Sequence, residues 1–216
     1  MKEKVVTLEA ALEKFQDGQT IMFGDWHGEL SAEEIITGLL EKGVKDIEAI
    51  AVSGGMPDQG VGRLINEHRV NKLITTHIGL NPVAGQQMFA GELEVEFVPQ
   101  GTFAERVRCG GAGLGGVLTP TGIGTDVERG KQRLIIDGKE YLLERPVRAD
   151  VALIYGSVAD KYGNVKIHGT ARNFNTVMAA AADTVICQAD EVVEMIDPDE
   201  VLIQGVLVDY IVGGKN

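Results

Sequence analysis

Seven residues from Gly110 to Gly116 include five glycines, a density that a chain uses where its backbone must take positive φ or approach another group too closely for a Cβ. They lie within Val98 to Thr125, VPQGTFAERVRCGGAGLGGVLTPTGIGT, where Thr119, Thr121 and Thr125 alternate with Pro120, Gly122 and Gly124. Gly111, Gly113 and Gly116 also satisfy G-x-G-x-x-G, the dinucleotide fingerprint. That pattern has a mechanism only where the glycines follow a strand and open a helix, whereas here they follow a helical run and lead into Thr-Pro-Thr-Gly.

A second group with chemical potential is Gly24 to Leu30, Gly-Asp-Trp-His-Gly-Glu-Leu, with Asp25, His27 and Glu29 inside seven residues. It sits between a strand pattern and a helix pattern, where free backbone N–H groups meet ligands. A third is Ser53-Gly54-Gly55 at the end of an apolar run. The four histidines, His27, His68, His77 and His168, have no metal-ligand spacing, and neither Cys109 nor Cys187 belongs to a C-x-x-C motif, so no metal is expected. Cys109 has no base beside it in sequence and reads as a small buried hydrophobe.

These groups are carried by alternating strand and helix patterns, which predict a parallel sheet covered by helices. Thr7 to Phe15 predicts a first helix capped by Thr7, and Thr20 to Gly24 a buried strand after the Asp17-Gly18 turn. Ser31-Ala-Glu-Glu34 and Thr102 with Glu105 read as capping boxes, the first opening a helix to Lys42. Ile47 to Ser53, Lys72 to His77 and Glu94 to Val98 predict further strands. Gly60 to Asn66 is weakly helical, and Asn81-Pro82 predicts a cap with proline in the first turn. Beyond the glycines, Arg133 to Ile136 and Glu140 to Leu143 flank Asp137-Gly138, a hairpin signal. Val151 to Ser157 predicts a strand, Asp160 to Asn164 a turn into Val165 to His168, and Asn173 to Ala182 a last helix. Val185 to Gln188, Val192 to Glu194 and Val206 to Val212 are strand-like. The expectation is one α/β domain over 1–216, a mostly parallel sheet with a small antiparallel insertion.

Composition sets limits. The 216 residues are 44% hydrophobic and 24% charged, enough for one filled core. A net charge of -12 argues against nucleic acid and anionic membrane as partners. Two cysteines are too few for a disulfide framework, and the opening MKEKVVTLEA lacks the apolar core of a signal peptide, so a cytoplasmic location is expected.

Pro99-Gln100-Gly101-Thr102, the Glu105-Arg106 pair, the Gly110 to Gly116 run and Thr119 to Thr125 closely resemble the α chain of the family I coenzyme A transferases. Further matches are Leu143-Glu144 with Pro146, Ala149 to Leu153, Gly163-Asn164 and Ala171 to Asn175, so the resemblance covers nearly the whole chain. It implies a CoA-transferase that moves CoA from an acyl-CoA to a short-chain carboxylic acid, 3-oxo or substituted, through a glutamyl-CoA intermediate. The family's nucleophile lies in a Ser-Glu-Asn-Gly-like motif of the β half, and this chain has no Glu-Asn pair. The resemblance therefore implies no catalytic nucleophile here, activity only with a β subunit in an αβ or α₂β₂ assembly, and coenzyme A as co-substrate with no tightly bound cofactor.

It also implies site residues. Gln100 matches a glutamine that bonds the acid's carboxyl group, and an amide donor suits a carboxylate. Gly24, Asp25, Trp26, His27, Gly28, Glu29 and Leu30 match the segment assigned to CoA binding, while Gly111, Gly113, Leu114 and Gly115 would form a backbone wall of the active site. Two departures bear on substrate. The usual Gly-Gly-Phe loop is replaced by Gly24-Asp25-Trp26, and Ser-Asn-Asn by Ser53-Gly54-Gly55. Glycines at 54 and 55 would leave volume, and Asp25, His27 and Glu29 could accept from a hydroxyl or ammonium group on the acid. Ala171 to Asn175 reads as helix capping with Arg172 in an ion pair. Two other readings remain at this point: a noncatalytic ligand-binding or regulatory module of the same fold, and an NAD-linked oxidoreductase.

Overall fold

The computed structural model describes residues 2–213; Met1 and residues 214–216, part of the single domain expected over 1–216, lie outside them. In chain order the elements are β1 (Val5–Val6), α1 (Leu8–Leu12), β2 (Thr20–Phe23), α2 (Glu33–Lys42), β3 (Ile47–Ala51), α3 (Val61–Asn66), β4 (Val70–Thr75), α4 (Pro82–Ala90), β5 (Glu94–Phe97), α5 (Gln100–Gly111), β6 (Val117–Thr119), β7 (Arg133–Ile136), β8 (Lys139–Glu144), β9 (Ala149–Asp160), β10 (Val165–Lys166), α6 (Asn175–Met178), β11 (Ala182–Val193) and β12 (Tyr210–Gly213).

The main sheet runs β1-β12-β11-β9-β2-β3-β4-β5, parallel throughout, with β10 antiparallel beside β9. A parallel sheet hides both faces, and the side-chain alternation of its strands shows this directly. Ile21, Phe23, Ala49, Ala51, Val151 and Leu153 belong to one buried cluster, with Ile35, Ile36 and Leu39 of α2 and Leu64 and Ile65 of α3. Met22, Ile50, Val52, Ala152 and Ile154 belong to the other, with Phe103 and Val107 of α5 and Met178 of α6. Helices α1 to α4 thus cover one face, and α5 and α6 the other.

From β2 the chain steps outward through β3, β4 and β5, then returns to place β9 on the opposite edge of β2. The strand order reverses between β2 and β9, and in open parallel sheets ligands bind beyond the carboxyl ends of strands at such a switch point. The antiparallel insertion is a separate sheet of order β6-β8-β7. Asp137 and Gly138, at φ 50° and 74°, form its tight turn, as the Asp-Gly pair predicts.

Three local expectations need correction. Ser31 does not cap α2; the first-turn N–H groups of Glu34 and Ile35 both donate to Gln188 Oε1 of β11, at 3.0 and 3.2 Å. Thr102 is no cap either: α5 begins at Gln100, Thr102 is buried inside it, and Glu105 pairs with Arg108 at 2.8 Å. The last helix is only Asn175–Met178, because Ala182 already pairs with Ala149 and starts a single twelve-residue strand, β11. By contrast, Thr7 caps α1 and Asn81 caps α4 through Val83 and Ala84 N–H, with Pro82 following. No helix of the described residues is long and apolar enough to cross a membrane.

Candidate functional site

The loop that follows β2 is tied to the switch point from both sides. Gly24 N–H donates to Leu153 O of β9 at 3.1 Å, and Phe174 N–H donates to Gly24 O at 2.9 Å. The Asn175 side chain, fully buried, accepts from Tyr155 N–H at 2.9 Å and donates to Leu30 O at 3.3 Å. Asn173 Nδ2 donates to Glu29 O at 2.9 Å. Ala171 to Asn175 therefore anchors the loop instead of capping a helix. Arg172, expected in an ion pair, is exposed and forms none among the described residues.

Within the loop, Trp26 and Glu29 exchange backbone hydrogen bonds of 3.2 and 2.9 Å. His27 and Gly28, at φ 58° and 98°, occupy the two central positions of a tight turn of primed type. Asp25 lies beneath the turn, 3% exposed. Its Oδ1 accepts from Gly28 N–H at 3.1 Å, while Oδ2 is buried with no hydrogen-bond partner among the described residues. Burial pushes the Asp25 carboxyl from 3.8 up to about 6; the Gly28 N–H and the Ser31 side chain oppose this, and Glu33 adds to it. Asp25, expected to meet substrate, is thus buried in this chain. Of the loop's acids, only Glu29 is exposed.

The turn brings the His27 ring to the carboxyl ends of β3 and β4. His27 Nδ1 lies 2.9 Å from Ser53 Oγ, which also accepts from Gly55 N–H at 3.2 Å. The His27 and His77 rings meet edge to face at 4.9 Å, with Trp26 on another side of His27 at 5.2 Å. Desolvation, and secondarily His77, hold the His27 pKa below its ordinary value. His77 Nδ1 is 2.9 Å from Thr76 Oγ1, whose hydroxyl donates to Val52 O at 2.6 Å. Thr76 and His77 do not stand out as site residues in the sequence, whereas Ser53 does through Ser53-Gly54-Gly55. The available signal is their position: each lies within two residues of the end of a parallel strand.

Gln100 is exposed and opens α5 immediately beyond β5, so it belongs to the same carboxyl-end surface. Gly54 and Gly55 belong there too, but they leave no substrate volume. A Cβ on Gly54 would press on Ile78 at 3.2 Å, and one on Gly55, already at φ +69°, would lie 2.6 Å from Gly62 N of α3. Those glycines let α3 and Ile78 close onto the strand ends.

The glycine run lies elsewhere. Gly111 ends α5, roughly 16 Å along the helix from Gln100, and a Cβ there would meet Ala180 at 2.9 Å, just before β11. Gly110 sits against Val147, just before β9, and its carbonyl accepts from Arg148 at 2.9 Å. This is the amino edge of the sheet, so the structure does not bring Gly111 to the Gly24–Leu30 loop. Gly113, Leu114 and Gly115 follow as an exposed link into β6. These glycines close a helix, the reverse of the dinucleotide fingerprint. Cys109 and Cys187 are buried free thiols, and no three His, Cys, Asp or Glu side chains of the described residues gather as a metal cage.

The family model described as coenzyme A transferase matches residues 5–214. The acetate CoA-transferase subunit alpha of Escherichia coli K12 is 49% identical over 214 residues, 98% of this chain and 97% of that one. The acetoacetyl-CoA:acetate/butyrate CoA transferase alpha subunit of Clostridium acetobutylicum is 45% identical, with 98% of each chain covered. Among solved structures, an acyl-CoA transferase of Escherichia coli O157:H7 in a thioester complex with CoA superposes with TM-score 0.86 at 24% identity. The match covers 98% of this chain but spans only 47% of that longer one. Glutaconate coenzyme A-transferase of Acidaminococcus fermentans gives 0.82 at 22% identity, covering 97% of this chain and 75% of that one. At these identities the superpositions establish the fold.

Proposed function

Since this chain belongs to the coenzyme A transferase family, we propose that it is the α half of a heteromeric CoA-transferase, one wall of a site completed by a β subunit in an αβ or α₂β₂ assembly. Its co-substrate is coenzyme A, and the acceptor is a short-chain carboxylic acid, 3-oxo or substituted. The observation that carries the reading is the chemistry of the carboxyl-end surface. His27 and His77 meet there beside the Ser53 and Thr76 hydroxyls, Gln100 opens α5 at the carboxyl end of β5, and Asp25 is buried beneath the turn. A surface of this kind binds and orients an acid; the attacking carboxylate comes from the partner.

The partner's glutamate oxygen attacks the acyl-CoA carbonyl carbon, and the C–S bond breaks to release CoA thiolate and leave a mixed anhydride. The thiolate then attacks the glutamyl carbonyl, expelling the first acid as a carboxylate and leaving a glutamyl-CoA thioester. The second acid runs the sequence in reverse. In each half the Gln100 amide N–H holds the departing or entering carboxylate, and the Gly24–Leu30 loop faces the pantetheine. With a net charge of -12, this chain leaves the CoA phosphates to basic groups of the β subunit.

The test is reconstitution. The α chain alone, the β chain alone and the co-expressed pair are assayed for transfer of CoA from acetyl-CoA to a panel of short acids. Only the pair should turn over, and borohydride reduction after incubation with acyl-CoA should modify a glutamate of the β chain. Transfer by the α chain alone would refute the proposal.

A further inference from the structure

The hydrogen bonds around the two histidines fix which ring atoms carry protons. Thr76 has one hydroxyl hydrogen, and it goes to Val52 O at 2.6 Å. The 2.9 Å contact between Thr76 Oγ1 and His77 Nδ1 must then be Nδ1–H donating to the oxygen. A neutral imidazole protonated at Nδ1 has a lone pair at Nε2. Ser53 presents the opposite case. Its oxygen already accepts from Gly55 N–H at 3.2 Å, and the partner in reach of its own hydrogen is His27 Nδ1 at 2.9 Å. Among the described residues Ser53 Oγ donates to no other acceptor, which assigns its hydrogen to His27 Nδ1 and the ring proton to Nε2. The two rings stand 4.9 Å apart in the loops that follow β2 and β4, with β3 between those strands, one with a donor and the other with an acceptor that no described residue engages.

Resting on the CoA-transferase reading, we propose that His27 and His77 form a matched donor and acceptor pair that selects an acid carrying a hydroxyl on its carbon chain. A hydroxyl accepts from His27 Nε2–H and donates to His77 Nε2 at once. A keto oxygen can use only the first, an ammonium group only the second, and a methylene neither. A site built to bond a substrate hydroxyl discriminates against the analogue lacking it because its own polar groups are left unpaired. Ser53 and Thr76 are positioning residues that set the tautomers. Desolvation, which depresses the His27 pKa, favours the neutral ring that the pairing requires. Trp26, edge-on to His27 at 5.2 Å, supplies an apolar flank for the hydrocarbon part of the acid.

The experiment uses the reconstituted two-subunit enzyme with acetyl-CoA as donor. It measures kcat/KM for butyrate, acetoacetate, 3-aminobutyrate and the 2-, 3- and 4-hydroxybutyrates. One hydroxybutyrate should exceed butyrate, acetoacetate and aminobutyrate by about tenfold or more. His77→Phe and His27→Phe should each reduce that ratio to near unity, and Ser53→Ala should lower it with Ser53→Cys recovering less than wild type. The wild-type ratios stand whether or not a variant folds. Equal rates on all acids, a keto or amino acid ahead, or a ratio unchanged in both histidine variants would overturn the pairing while leaving CoA transfer intact. No transfer to any acid would overturn the underlying reading as well.

Discussion

Replacing Asp25 by Asn tests the electrostatics beneath the loop. The Asp25 carboxyl titrates near 3.8 in an unfolded chain and at about 6 when buried. Between those values the folded protein holds a proton that the unfolded chain has released, so stability falls as pH rises through the window. The gap, at about 1.4 kcal/mol per pH unit, amounts to ~3 kcal/mol, with the full penalty present above about pH 6. The cause is local. Oδ1 keeps one N–H from Gly28, Oδ2 has no partner among the described residues, and Glu33 is near enough to repel the charge. Asparagine keeps the acceptor for Gly28 and cannot ionise. Urea unfolding of wild type and Asp25→Asn at several pH values from 4.5 to 7 isolates the effect, since titrations elsewhere cancel in the difference. The variant should gain on wild type as pH rises, by roughly 2 kcal/mol across the range. Any constant offset reflects how well the new amide is satisfied. A difference flat to within about 0.5 kcal/mol, or one with the opposite slope, would refute the burial argument.

Other substitutions separate packing from chemistry. Asn175→Ala strips the partner from Tyr155 N–H and releases Leu30 O; it should cost about 2 to 4 kcal/mol by denaturant unfolding and, under the proposed role of the Gly24–Leu30 loop, raise the KM of the reconstituted enzyme because that loop loses its anchor. Gly110→Ala would drive a Cβ into the Val147 carbonyl. The cost should be at least 1 to 3 kcal/mol, read as a lower thermal midpoint, with kcat/KM of the folded fraction little changed. Cys109→Ala, at a fully packed helix position, should keep transfer activity and lose only about 1 to 2 kcal/mol of stability.

Where local chemistry decides structure, the sequence was readable. Asn81-Pro82 and Asp137-Gly138 fold as their residue types require, and β2, β3 and β4 sit within two residues of their expected bounds. Where a distant element supplies the partner, it was not. Ser31 looked like a cap because nothing in the sequence announces Gln188, 154 residues from Glu34, as the acceptor for the α2 N-terminus. Asn173 to Ala182 looked helical because alanines suit a helix, yet pairing with β9 takes Ala182 into a strand. Gly110 and Gly111 serve close packing of α5 against the segments that precede β9 and β11, a role that their spacing does not announce. The Gly24–Leu30 loop was legible from its place between strand and helix. Its depth was not: Asp25 is buried below and His27 is turned toward Ser53 and His77 by a turn that only the backbone geometry reveals.

The central claim is that this chain shelters a carboxylate it does not itself supply. Mass spectrometry of the reconstituted enzyme after incubation with acyl-CoA tests it most directly. The account predicts the CoA thioester on a single glutamate of the β subunit and none on any glutamate or aspartate of this chain. A thioester on Glu29, or on any other acid of this chain, would contradict it.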